Sequence, residues 1–298
     1  MVAAPSRTAT SSESWGVEAL VLSRTSGLHR YCRLSWHLGR LGCVTALEYR
    51  TDLMLGLCST VLLQTSSLLL IGVVLSNFGR LDGWTLPALA MLLGLRSLAH
   101  GIFVTFFNSL RGIAGVIRNG EVDRMLLRPV NVLFQIGYGG KIEFRGVGDF
   151  LAGIGYVAYA TKGMGLRWTP ELAAVFVIIV VSGVLIEAAI YTMTGVLAFW
   201  TMQDTALRQV AWILHERFIL YPVQIYGTVL RTVLTFVVPF AFINCYPAEI
   251  FLSASAVGVP QGLRPALGYL TPGVALACSL VAGAFWGWAS RRYVSTGS

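Results

Sequence analysis

The chain has 298 residues, 55% of them hydrophobic and only 12% charged, and its mean hydropathy is strongly positive. These values exclude a soluble globular domain and imply an integral membrane protein. Lys and Arg outnumber Asp and Glu, 22 against 14, but they sit in short segments beside apolar runs, a pattern that suits anionic headgroups and membrane topology rather than nucleic acid.

Residues 1–27 are polar and rich in Ser and Thr, with no apolar segment of signal-peptide type. They read as a disordered cytoplasmic tail without a cleavable signal. From Leu28 to Arg50, Leu34, Leu38 and Leu41 share a helical face while Arg30, Arg33, Arg40 and Arg50 supply charge. This predicts an amphipathic helix lying in the membrane interface over residues 28–52.

Six apolar runs follow, over about 53–75, 84–107, 146–161, 171–199, 227–246 and 271–290. A span needs roughly 20 apolar residues, so the first, second, fourth and fifth qualify on length. The third is short, rich in Gly and carries Asp149, and the sixth begins beside Pro272. Both need helical neighbours, which predicts an all-α membrane protein with a compact six-helix transmembrane domain over residues 53–298.

Between the second and third runs lies Arg111 to Gln135, RGIAGVIRNGEVDRMLLRPVNVLFQ, which is polar and charged. Val122, Met125 and Leu126 fall at i, i+3 and i+4, so a short helix from about Gly120 presents one apolar face, with Asp123, Arg124 and Arg128 around the other side. Glu121 and Arg124 are spaced to pair along it. Pro129 disfavours a helical Arg128, so the helix is predicted to stop after about two turns.

Two further segments interrupt the spans. In Met202 to Tyr226, His215, Glu216 and Arg217 break an apolar run, which predicts a second interfacial helix on the cytoplasmic side. Pro247 to Leu270 is too short and too broken by Gly and Pro to cross, yet Ile250, Phe251 and Leu252 make it apolar. A re-entrant pair of short helices between spans five and six is expected, with protein covering its backbone.

Orientation follows from the basic residues outside the spans. With a cytoplasmic N-terminus the inner side holds sixteen: six before the first span, then Arg111, Arg118, Arg124, Arg128, Lys141, Arg145, Arg208, Arg217, Arg291 and Arg292. The outer side holds only Arg80, Lys162, Arg167 and Arg264. The positive-inside rule therefore predicts both termini and the Arg111 to Gln135 stretch in the cytoplasm.

Arg96 and His100 lie one turn apart in the second run, and Glu187 lies in the fourth. A charge at bilayer depth costs roughly 2.5 to 3.5 kcal/mol, so each is expected to face the bundle interior or water. A pair between Arg96 and Glu187 is the economical expectation, either lining a substrate pathway or joining two helices. Asp149 and Glu143 are spaced for a proton relay or for simple solvation. The five cysteines are scattered, and His29, His37, His100 and His215 show neither HExxH nor any other ligand spacing, so no metal site is expected. No GxSxG or GxxxxGK[ST] occurs, so no catalytic residues and no ATP or other cofactor site are expected in the chain itself.

The stretch GEVDRMLLRPVNVLFQ, followed by KIEFRGVGD, resembles the signature loop of the type-2 ABC exporter permeases, bacterial six-span proteins that accompany a separate ATPase. YRTDLML at the first span, YPVQIYGTVLRTVLTFVVPFAFINCYPAEIFL through the fifth and RRYVSTGS at the end extend the resemblance from about Glu48 to Ser298. Gly120, Glu121, Asp123, Arg128, Pro129, Asn131 and Phe134 carry its specificity, while Val122 in place of Leu and Val132 where Pro is frequent depart mildly. The resemblance implies a permease of the bacterial cytoplasmic membrane that moves an amphipathic or hydrophobic substrate outward, surrounded by membrane lipids. It implies a second permease subunit, identical or homologous, and two copies of an ABC ATP-binding subunit holding the ATP and Mg. It also implies that the helix around Glu121 to Leu127 is a coupling helix seated on that ATPase, with Gly120, Glu121, Asp123, Arg124, Leu127, Arg128 and Pro129 as its contact set. An ion- or proton-driven carrier using Arg96, Glu187 and Asp149 is the alternative; it predicts inverted repeats, and the sequence shows no such halves.

Overall fold

The computed structural model describes residues 50–78, 83–128, 130–137, 142–201, 205–255 and 264–292. The tail over 1–27 and nearly all of the interfacial helix expected over 28–52 lie outside the described residues, as does Pro129. Every regular element among those described is helical.

The first helix, α1 (Arg50–Phe78), packs lightly, with only 17% of its apolar window buried. Helix α2 (Leu86–Phe107) starts where Thr85 turns extended and Pro87 occupies the first turn, a position that needs no N–H donor. It continues through a 3-10 stretch, Asn108–Gly112, into α3 (Ile113–Arg118), and 89% of this column's apolar window is buried. It is the axis of the bundle. Short helices α4 (Glu121–Leu126) and α5 (Val132–Gly137) follow, and α6 (Arg145–Met164) returns alongside α2.

The close seam between α2 and α6 explains the glycines of the third apolar run. A Cβ on Gly101 would lie 2.6 Å from the Phe150 backbone nitrogen, and one on Gly146 would lie 2.5 Å from the Gly101 carbonyl oxygen. The two backbones touch, as only small residues allow in lipid, where apolar surface alone does not drive helices together.

Helix α7 (Pro170–Val196) is capped by Thr169, whose hydroxyl accepts from the Leu172 N–H at 3.3 Å. It packs on α2 and on the last helix. Then come α8 (Thr205–Ile213), which widens into a π-helical turn at Leu214–Phe218, and α9 (Thr228–Thr232), which does the same at Val233–Val237. Helices α10 (Cys245–Ser253) and α11 (Pro265–Tyr269) pack together, and α12 (Thr271–Ser290) closes the bundle.

Among the described residues, four helices are long and apolar enough to cross a membrane: α1, the α2 to α3 column, α7 with the turn after it, and α12. The chain is therefore a multi-pass, all-helical membrane protein. Two expected spans differ from this simple form. Helix α6 has the length, 20 residues, but Arg145, Asp149, Lys162 and its glycines dilute its apolar character. The fifth run is not one helix, because it bends by 74° between Thr228–Val237 and Phe240–Ser253 and makes a fifth crossing only if both limbs are counted together. Pro239 sits at the break, where it removes a backbone donor and clashes with the preceding turn.

Candidate functional site

Two charged regions adjoin the α2 to α3 column, one following its end and one built partly from its own residues. The first begins at Gly120, whose φ of 66° lies in the left-handed region that glycine adopts at little cost. Its N–H returns to the Ile117 carbonyl at 3.2 Å and closes α3, while its own carbonyl accepts from Asp123 at 3.3 Å and opens α4. Glu121 and Asp123 then fall in the first turn, where the helix dipole favours negative charge.

Val122 is buried at 2% exposure and Met125 packs partly against the core. Leu126 was expected on that same face, but it is 57% exposed, and Leu127 is 85% exposed. The helix is only six residues long and tilts onto the bundle through Val122 and Met125, so Leu126 turns outward beside exposed Arg124 and Arg128. Glu121 accepts from Asn119 at 3.3 Å instead of pairing with Arg124. Two residues beyond the helix give it a fixed seat. The Gln135 amide donates to the Met125 and Val130 carbonyls at 3.0 and 2.8 Å, and Asn131 Oδ1 accepts from the Leu133 N–H at 2.9 Å to start α5.

The second region lies within the bundle, with Glu216 and Arg111 partly exposed. Arg96 on α2 does not pair with Glu187: its Nη2 donates to Glu216 Oε2 at 2.8 Å. Glu187 on α7, fully buried, meets His100 Nδ1 at 2.8 Å and Arg111 Nη2 at 3.3 Å. The Arg111 guanidinium lies over the rings of Phe103 and Tyr191, 5.2 and 4.7 Å from their centroids, so its charge is held by faces as well as by an anion. The π-helical turn after α8 is the cause of the rearrangement. Its wide pitch turns both His215 and Glu216 toward α2, with His215 fully buried, its ring 4.5 Å from that of His100 and its Nε2 3.9 Å from Glu187 Oε1.

Six titratable groups thus form one cluster with two guanidiniums and two carboxylates in balance. Arg96, His100 and Glu187 are brought together as a set, though not as the expected pair. Sequence reading missed Arg111, taken as a loop charge, and His215 and Glu216, taken as an interfacial face. The signal available for the last two was a His-Glu-Arg interruption in an apolar run. Burial pushes the Glu216 carboxyl up, but Arg96, His100 and Arg111 outweigh that and hold it below the ordinary carboxylate range. Burial pushes His215 well below its ordinary 6.5 despite nearby Glu187, so it is neutral at pH 7.

His100, His215 and Glu216 also offer ligand atoms within 4.8 Å of one another. Arg96 already holds one Glu216 oxygen and Arg111 stands on Glu187, so a dication here would face two guanidiniums at low dielectric. Asp149 and Glu143 do not form a relay. Asp149 is buried and accepts from the Gln64 amide at 2.5 Å, whereas Glu143 is exposed and accepts from Asn108 at 2.7 Å.

A family model described as ABC-2 family transporter protein matches residues 61–297. Neither the curated proteins nor the solved structures give a match.

Proposed function

The chain belongs to the ABC-2 transporter family, and from that premise we propose that it is the permease subunit of an ATP-driven exporter of the bacterial cytoplasmic membrane. ABC-2 permeases work with an ATP-binding subunit in general. In this reading two copies of that subunit carry the ATP and Mg, and a second permease, identical or homologous, completes the membrane part. The six crossings are α1, α2, α6, α7, the fifth apolar run over 227–246 and α12, with both termini in the cytoplasm and the apolar stretch from Pro247 onward dipping in from outside. The cargo is amphipathic or hydrophobic.

One observation carries the coupling role. Helix α4 is anchored to the bundle by Val122 and presents Leu126, Leu127, Arg124 and Arg128 outward, at the end of the most buried column of the fold. An exposed leucine pair ringed by charge is a surface for a protein partner. Displacement of α4 by the ATPase enters the column directly and biases the bundle between inward and outward access. Gly120, Glu121, Asp123, Arg124, Leu127, Arg128 and Pro129 form the contact region.

The test is charge reversal, Asp123→Arg with Arg124→Glu. Loss of co-purification with the ATPase and of stimulated ATP hydrolysis is expected; unchanged values for both overturn the assignment. The buried cluster around Glu187 favours a second reading, an ion-driven carrier, and substrate movement under a proton gradient without ATP would establish that reading instead.

A further inference from the structure

A cavity of about 470 Å³ lies between α1, α2, α6 and the turn after α8. Its floor is Arg96, 2% exposed, whose Nη2 is taken by Glu216 but whose Nε has no hydrogen-bond partner. A buried guanidinium N–H without an acceptor is costly, and although this nitrogen is itself covered, the Arg96 side chain lines the cavity. Arg145 and Arg217 stand at the rim, both exposed. With Asp149 and Glu216 as the lining carboxylates, three cations face two anions.

The α1 wall is unlike the rest of that helix. Leu55, Leu62 and Leu69, spaced by seven, are 64% to 70% exposed. The cavity face instead carries Ser59, Thr60, Gln64, Ser66 and Ser67. The four hydroxyls already donate to carbonyls of their own helix, at 2.8 to 3.0 Å. Their oxygen lone pairs are what remains to offer a guest. Leu63, Leu70, Trp212 and Leu220 complete the lining with apolar surface.

We propose that this cavity binds an amphiphile whose head joins an anionic group to hydroxyl donors, as a phosphoglycerol head does, with Arg96 as the buried counter-ion and α1 as the hydroxyl-accepting wall. The anion meets the rim arginines Arg145 and Arg217 above the buried Arg96 charge, the head hydroxyls donate to the serine and threonine oxygens, and the chain runs over Leu63, Leu70 and Trp212. As an assignment of cargo this rests on the export reading above; as a binding site it needs no ATPase.

The probe is lauroyl-lysophosphatidylglycerol, titrated onto the full chain in phosphatidylcholine nanodiscs without any ATP-binding subunit. Saturable binding is expected, with lauroyl-lysophosphatidylcholine at least about tenfold weaker, the scale of one charge-assisted hydrogen bond. Arg96→Gln with Glu216→Gln removes the Arg96–Glu216 ion pair without leaving either partner charged and is expected to weaken binding about tenfold, and Arg217→Gln at the exposed rim about threefold. If the double variant does not fold, Arg217→Gln and Arg145→Gln carry the test. Equal binding of the two lysolipids, or unchanged affinity in the variants, overturns the proposal and leaves the ATPase coupling standing. Competition by two-chain phosphatidylglycerol in the disc identifies a bilayer lipid as occupant, and its absence identifies a free amphiphile; both results retain the site.

Discussion

Helix α4 and the cluster around Glu187 are both charged interruptions of an apolar chain, one following the end of the α2 to α3 column and the other built partly from that column itself. In α4 the charges face outward and a buried valine holds the helix. Around Glu187 the charges face each other, although Glu187 Oε2 and both His215 ring nitrogens are buried without a hydrogen-bond partner. In α4 a few neighbouring residues decide the outcome, whereas the cluster is decided by four elements far apart in sequence. The difference implies opposite responses to mutation. Changing the cluster should damage the fold, and changing the outer face of α4 should damage only association.

The largest effect is expected at Arg111. Arg111→Leu leaves Glu187 buried without its cation, and a loss of about 3 to 5 kcal/mol in thermal or denaturant unfolding is expected. Arg111→Leu with Glu187→Leu should recover much of it, because no lone charge is then left in the interior. A single variant as stable as the double one would show that the pair is not coupled.

Next comes the seam that positions the cluster. A Cβ at Gly146 would meet the Gly101 carbonyl oxygen at 2.5 Å and the Thr105 nitrogen at 2.7 Å, both backbone atoms. Gly146→Ala should therefore cost about 1 to 3 kcal/mol. On the same helix a Cβ at Gly155 meets nothing within 4 Å, and Gly155→Ala should be neutral or stabilising by up to about 1 kcal/mol. Equal unfolding midpoints for the two variants would contradict the close contact of α2 and α6.

A smaller, pH-dependent effect is expected at His215, which Arg96, His100, Arg111, Glu187 and Glu216 surround. Its folded pKa lies well below the ordinary 6.5. Between those values the unfolded chain binds the proton and the folded chain does not. The stability is fully present above pH 6.5 and is lost as pH falls, by up to about 1.4 kcal/mol per pH unit for one proton. Glu216, held below its ordinary 4.5, acts in the same direction in a lower window. Unfolding of the native chain and of His215→Asn, compared from neutral to mildly acid pH, should show the shallower slope in the variant; identical slopes would place a proton on His215 in the folded state. The smallest effect on stability is expected at α4, where Leu127→Ser should change it by less than about 0.5 kcal/mol.

Much of the helical frame was legible because apolar runs and their punctuation are local. The runs at 53–75, 84–107, 171–199 and 271–290 became helices at Arg50–Phe78, Leu86–Phe107, Pro170–Val196 and Thr271–Ser290, three of them with Pro in the first turn. Gly120 and the spacing of Val122 and Met125 likewise located α4. The 74° bend was a missed signal, since Pro239 stood in the middle of the fifth run. The partners of Arg96 and Glu187 were not legible. Arg96 to Glu216 spans 120 positions, and only the π-helical turn after α8 brings Glu216 into reach. The outward turn of Leu126 was hidden for a related reason: a helix of six residues has room for two inward side chains, and the tertiary contact chooses which.

The central claim is that the outer face of α4 meets the ATP-binding subunit. It is tested most directly by a photo-crosslinking amino acid placed at Leu127, with Tyr269, 59% exposed at the far end of the bundle, as the control. In the intact transporter, irradiation should join Leu127 to the ATP-binding subunit and leave Tyr269 unjoined to it. Crosslinks to that subunit from Tyr269, or none from Leu127 in a complex that still hydrolyses ATP, would contradict the account.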